Sequence, residues 1–186
     1  MEFIGLAKAH PGELTYGTTG PGSWLHVSAL LFSGITGTSF RHVPYGQGSP
    51  ITDIMGGHID ILFDALNPQY IENVKGQNFR ILAVTGRNRV IAFPDVPTFT
   101  ESGVPEYDSS AITGMFAPKG TSEPIIVKMQ TAISQMLQDE ALRRQWIAEG
   151  GEPIGSTPAE FRARIRSESE RWGKIIRVNN IKVESL

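Results

Sequence analysis

Cysteine is missing altogether from the 186 residues. That excludes disulfides, thiolate zinc sites and cysteine nucleophiles together. It leaves the redox compartment open, because a cysteine-free chain suits periplasm and cytosol alike. A surplus of one charge sign is missing too. The 17 basic and 19 acidic residues leave a net charge of −2, without the basic excess that nucleic acid attracts, so no nucleic-acid partner is expected. No stretch approaches the roughly 18 apolar residues of a membrane span. The opening residues 1–8 lack the basic run and long apolar core of a secretory signal. The charged fraction is 19% and the hydrophobic fraction 40%, which excludes a highly charged disordered chain. Catalytic signatures are absent as well. There is no Gly-x-Ser-x-Gly elbow, no His-Glu-x-x-His and no clustered His/Asp set for a metal.

What the chain has is turn residues, 20 Gly and 12 Pro, set between short apolar segments. Residues 1–10 read as a helix already in progress, ending before Pro11-Gly12, as though the chain opened inside a longer protein. Residues 14–19 are rich in β-formers and bounded by Gly and Pro, which predicts a strand. Further strands are expected at 39–43, 59–63 and 79–85, the last two apolar enough to be covered on both faces. Between them, helices are expected at 23–34, 51–55 and 67–75. This alternation argues for a mostly parallel sheet with covering helices. Residues 86–107 break the rhythm, with one short helix at 98–102, and 109–117 read as extended. Helices then dominate: Ser122-Glu123-Pro124 opens one to about Leu137, and a second covers 140–149. Thr157-Pro158-Ala159-Glu160 opens a third, to about Val178, with a Thr cap, Pro next and Glu at the third position. The seam between sheet and helices falls between Tyr107 and Gly120. Trp146 and Trp172 read as core anchors, and the alternating Arg and Glu residues of 162–171 as a solvated face.

The feature with chemistry in it is the turn Thr18-Thr19-Gly20-Pro21-Gly22-Ser23. Glycines let the backbone approach a ligand closely. The helix that follows presents unpaired N–H groups and a positive dipole end. Together with hydroxyl donors these suit a small anion, and such turns lie where parallel α/β sheets bind ligands. The same residues would also serve as an ordinary strand–helix turn with Ser23 as N-cap. No Gly-Lys-Ser/Thr follows, so it is not a P-loop, and glycines at 17, 20 and 22 do not fit Gly-x-Gly-x-x-Gly. A carboxylate therefore suits it better than a nucleotide. Asp64, after the apolar run 59–63, reads either as a holder of ligand polar groups or as a cap for the next helix. His26 and His42 fit structural hydrogen bonding better than general-base work, and His58 is expected at the surface.

The series Thr18-Thr19-Gly20-Pro21-Gly22-Ser23-x-x-His26 resembles the strand–loop–helix of the tripartite tricarboxylate transporter solute receptors, the Bug family of extracytoplasmic binding proteins. The likeness continues through His42-Val43-Pro44-Tyr45, Thr52-Asp53-Ile54-Met55-Gly56-Gly57-His58-Ile59-Asp60 and Phe63-Asp64. It runs on through Leu82-Ala83-Val84-Thr85-Gly86, Phe93-Pro94-Asp95-Val96-Pro97-Thr98, Phe116-Ala117-Pro118-x-Gly120-Thr121 and Pro158-x-Glu160-Phe161. The order of the series carries the likeness over essentially the whole chain. It implies an α/β, periplasmic binding protein-like (type II) Venus-flytrap with a mostly parallel sheet flanked by helices, of which the first lobe is largely missing. On that reading residues 1–106 are the second lobe with the ligand loop, 107–117 the crossing strand, and 118–186 helices belonging to the first lobe.

Carried over by position, the resemblance implies a carboxylate-holding loop of Thr18, Thr19, Gly20, Gly22 and Ser23, with Asp64 on the family's aspartate at the next cleft-facing strand. It implies no cofactor, metal or catalytic residue. Two departures concern the ligand's identity. The loop Val43-Pro44-Tyr45-Gly46-Gln47-Gly48 lacks the family's basic residue and is shorter, and Ile112 stands where the crossing strand often has Trp. The implied function is a periplasmic receptor for a small organic carboxylate that delivers it to membrane transporter subunits. Without the first lobe, weak ligand binding or none is expected, together with self-association or pairing with the missing part through exposed apolar surface after residue 118. Two alternatives remain. One is the effector domain of a transcription regulator, which would bring a helix-turn-helix that these residues do not show. The other is an α/β enzyme acting on a carboxylate, which needs a nucleophile or metal set.

Overall fold

The computed structural model describes residues 2–46, 48–86 and 88–181. The sequence readings that take in Met1, Gln47, Arg87 and 182–186 lie, at those positions, outside the described residues. The chain opens with α1 (Glu2–Ala9) and then enters β1 (Thr15–Thr18), whose four residues are all buried. Next comes α2 (Trp24–Thr36). Ser23 caps it in extended conformation, its hydroxyl accepting the His26 amide, and Gly37 closes it at φ 66°. A left-handed residue there suits glycine, which has no Cβ to clash. β2 (Arg41–Pro44) runs parallel to β1, with Tyr16 level with His42 and Thr18 level with Pro44.

The expected strand 59–63 is reduced to one parallel bridge, Tyr16 to Ile61. Asp60 supplies the reason. Its carboxylate takes the Thr15 amide at 2.7 Å and the Thr15 hydroxyl at 2.6 Å. The amides of Asp60 and Ile61 both turn onto the Thr15 carbonyl. A side chain thus replaces part of the ladder. Residues 79–85 depart further from expectation. They make one bridge, Val84 to Thr98, and Leu82 is 40% exposed. Their partner is the loop carrying Pro94 and Pro97, and proline has no N–H with which to extend a ladder. The expected helix at 98–102 is one turn. Thr98 and Glu101 cap each other reciprocally, amide to side chain, and Gly103 at φ 83° stops it.

α3 (Ile51–Met55) and α4 (Pro68–Lys75) follow β2, α4 being capped by the Asn67 side chain. The core gathers Tyr16, Ala29, Phe32, Phe63, Val104 and Tyr107, with Phe3, Phe40 and Phe99 packed against it. Phe32 is its hub, 5.3 Å from Phe63 and 5.4 Å from Tyr107 between ring centroids. Truncating such a residue to Ala costs about 3–5 kcal/mol.

Residues 109–117, read as extended, form neither helix nor ladder. The chain finishes in α5 (Glu123–Met136), α6 (Glu140–Ala148) and α7 (Pro158–Val178), none of which buries a residue fully. Ser122 sits at the α5 N-cap without making a side-chain cap bond, whereas Thr157 and Glu160 form a complete capping box on α7. α7 packs on α2. Trp146, read as a core anchor, is 37% exposed, and Trp172 is half-buried under the Arg171 guanidinium. The charged face of α7 is not wholly solvated either. Glu168 holds Arg164 and Arg171, and Arg171 reaches the Asp108 carbonyl. No helix among the described residues is long and apolar enough to cross a membrane.

Candidate functional site

β1 delivers the chain into the turn at residues 19–23. The turn is possible because Gly20 (φ 139°) and Gly22 (φ 79°) take backbone angles that side chains disfavour. At neither Gly20 nor Gly22 does the turn fold its own amide outward. Gly20 N–H donates to Thr18 Oγ1 at 3.0 Å, and Gly22 N–H donates to His26 Nδ1 at 3.0 Å. Ser23 N–H donates to the Gly20 carbonyl. The predicted contacts therefore divide. Thr18 is 0% exposed, with its hydroxyl 2.5 Å from His42 Nε2, so it shapes the turn from beneath. Ser23 Oγ is the cap acceptor for His26 N–H. The amides of Thr19, Trp24 and Leu25 take no partner among the described residues, and Thr19 is exposed. These three N–H groups are the free donors of the turn, at the positive end of a 13-residue helix.

Beneath the turn, the rings of His26 and His42 stack with centroids 4.2 Å apart and planes 7° from parallel. Tyr16 stacks on His42 at 5.0 Å. Burial lowers the pKa of His26. Burial, reinforced by the neighbouring His26, lowers that of His42 to about 4. The Tyr16 phenol is pushed up to about 12 by burial. At neutral pH all three rings are uncharged.

Asp64 lies three residues beyond the Tyr16–Ile61 bridge, and Thr19 three beyond Tyr16, so the parallel register brings both to the same end of the sheet. Asp64 does not cap α4; Asn67 does. Its carboxylate accepts the Tyr70 hydroxyl at 2.5 Å and the Ala65 amide at 2.7 Å. The residue as a whole is exposed, yet the surroundings of the carboxyl group raise its pKa by desolvation, against the pull of those two donors. His58 is exposed. Sequence reasoning overlooked two carboxylates at the flanks of β1: Asp60 on Thr15, and Asp53, which accepts the Tyr45 hydroxyl at 2.5 Å. A single acid inside the apolar run 59–63 was the available signal. Two shallow cavities, one lined by Ile4, Lys8, Ile35 and Val104 and the other by Phe3, Phe32 and Phe99, include no residue of the turn.

A glycine-bent turn at the carboxyl end of a parallel strand, feeding a helix N-terminus, lies where α/β binding proteins of parallel-sheet type take their ligands. Residues 1–181 match the tripartite tricarboxylate transporter family receptor, and the chain belongs to that family. It is 34% identical over 183 residues to protein BugT of Bordetella pertussis, spanning 98% of this chain and 56% of BugT. Among solved structures, an R. palustris protein with adipate superposes with a TM-score of 0.84 at 30% identity, over 97% of this chain and 60% of that one. Periplasmic binding protein BugD superposes with a TM-score of 0.79 at 23% identity, over 97% and 61%. The fold is that of the periplasmic binding proteins, and the chain spans a little over half the length of these relatives.

Proposed function

We propose that this chain carries the second-lobe half of a receptor for a small organic carboxylate, which passes its ligand to the membrane subunits of a tripartite tricarboxylate-type transporter. The free N–H groups of Thr19, Trp24 and Leu25, at the mouth of a turn held open by Gly20 and Gly22, are the observation that carries the reading. Amides fixed in that way replace water around a carboxylate, and the helix end adds its partial positive charge. Exposed Asp64 lies at the same end of the sheet and suits a ligand hydroxyl or a water bridging to the ligand. Residues 1–106 make up this lobe, 107–117 cross from it, and 118–186 belong with the first lobe. Family membership supports a periplasmic location and a binding rather than catalytic role. The adipate-bound relative makes a linear dicarboxylate the first probe to try.

Closure supplies the selectivity. A ligand shifts a two-state lobe equilibrium only by its differential contacts with the closed form. This half offers only its own share of those contacts, so weak binding is expected. Adipate titrated into the chain, followed by amide NMR, should move the Thr19, Trp24 and Leu25 signals with millimolar affinity. Shifts confined to other surfaces, or tight binding by this chain alone, would contradict the reading.

A further inference from the structure

We propose that His26 is a positioning residue of the anion turn: its neutral imidazole, acting as an acceptor at Nδ1, ties down Gly22 and so holds the free amides of the turn in their receptive arrangement. This inference rests on the carboxylate reading above and concerns a residue that never touches the ligand. A Gly-Pro-Gly bend has little intrinsic shape, because glycine ranges over both halves of backbone space. Something outside it must choose one conformation.

The structure shows two tethers. One runs from Gly20 N–H to the buried Thr18 hydroxyl, which in turn meets His42 Nε2. The other runs from Gly22 N–H to His26 Nδ1 at 3.0 Å. The second fixes a protonation state. A backbone N–H can only donate, so Nδ1 must be bare and the ring proton must sit on Nε2. A proton added at Nδ1 would set N–H against N–H and release Gly22.

The ring is fixed in turn by its place one turn into α2 and by the near-parallel stack on His42 at 4.2 Å. The charged and titratable groups around the pair are otherwise engaged. Tyr16 of β1 stacks on His42 and is uncharged. Asp60 is held by Thr15, and Asp53 by Tyr45. On α7, which packs against α2, Arg171 and Glu168 bond each other. No carboxylate pairs with either imidazole among the described residues, so nothing on these elements rewards a charged His26.

The test needs no ligand for its first arm. Long-range 1H–15N correlation on the wild-type chain should show His26 as the Nε2–H tautomer. The Gly22 amide shift should titrate with the His26 midpoint. An Nδ1–H tautomer, or a Gly22 amide indifferent to that midpoint, overturns the proposal. The second arm compares His26→Phe, which keeps a ring to stack but has no acceptor, with His26→Asn, whose Oδ1 can stand in for Nδ1. Adipate followed on the Leu25 amide should weaken about fivefold in His26→Phe, the worth of one hydrogen bond, and recover in His26→Asn. Equal affinity in wild type and His26→Phe overturns the positioning role while leaving the carboxylate reading intact. Failure of adipate to move any turn amide in wild type sinks the carboxylate reading instead, while the tautomer measurement still decides whether His26 holds Gly22.

Discussion

Gly17 shows how one missing side chain sets the geometry of the site. A Cβ there would lie 2.7 Å from Pro50 Cβ, 2.8 Å from Ile59 Cδ1 and 3.1 Å from a Tyr45 ring carbon. The strand can therefore be flanked this closely on its way to the turn only because residue 17 has none. Overpacking of this kind costs about 1–3 kcal/mol. Gly17→Ala should lower stability by that amount in urea unfolding, whereas Gly5→Ala, with open space around it, should not. Equal stability of the two variants would show that the neighbours of Gly17 yield freely. At this scale the sequence was readable for residue types and not for their assignments. Thr18, Thr19 and Ser23 look equivalent as hydroxyl donors, yet one is buried against His42, one faces solvent and one caps a helix. Which hydroxyl points where depends on the strand pleat and the turn's φ angles, which a string of letters does not specify.

At the scale of elements, β1, β2 and α2 act together through the His26–His42 stack. Burial holds the His42 pKa at about 4, against an ordinary 6.5. Between those values the unfolded chain binds more protons than the folded one, so stability rises with pH through the window. The thermal midpoint should fall as pH drops from about 6.5 toward 4. His42→Phe should flatten that slope relative to wild type. An unchanged slope would mean that other groups carry the dependence. The elements legible in sequence were those with their own local signals. The capping box opening α7, Ser23 at the start of α2, and Asn67 before α4 all act through neighbours in the chain. The apolar runs 59–63 and 79–85 promised ladders and gave single bridges. A strand needs a partner with free N–H groups; Asp60 usurped one ladder and the proline loop starved the other.

For the molecule as a whole, the apolar surface is unevenly placed. Phe116 is 72% exposed and Ile125 55%, and Val127, Met129 and Ile154 are exposed alongside them, on or beside helices that bury nothing fully. Apolar surface of that extent is covered in stable proteins by another surface. The chain is therefore expected to self-associate. Sedimentation velocity should show species heavier than the 20.3 kDa chain, with association rising with concentration. A monomer throughout would show that these side chains are tolerated in water.

The sequence by itself determined the order of the helices and of β1 and β2, the parallel α/β class, the family and the location of the turn. Each of these rests on periodicity, caps and ordered motifs, which are local in the chain. Only the tertiary structure decided which amides of the turn are free. The bonds that engage Gly20, Gly22 and Ser23 are local, but the acceptors Thr18 and His26 are held from afar, His42 meeting the Thr18 hydroxyl across 24 residues and stacking on the His26 ring. Hydrogen bonds between such positions exist only once packing has brought the strands together.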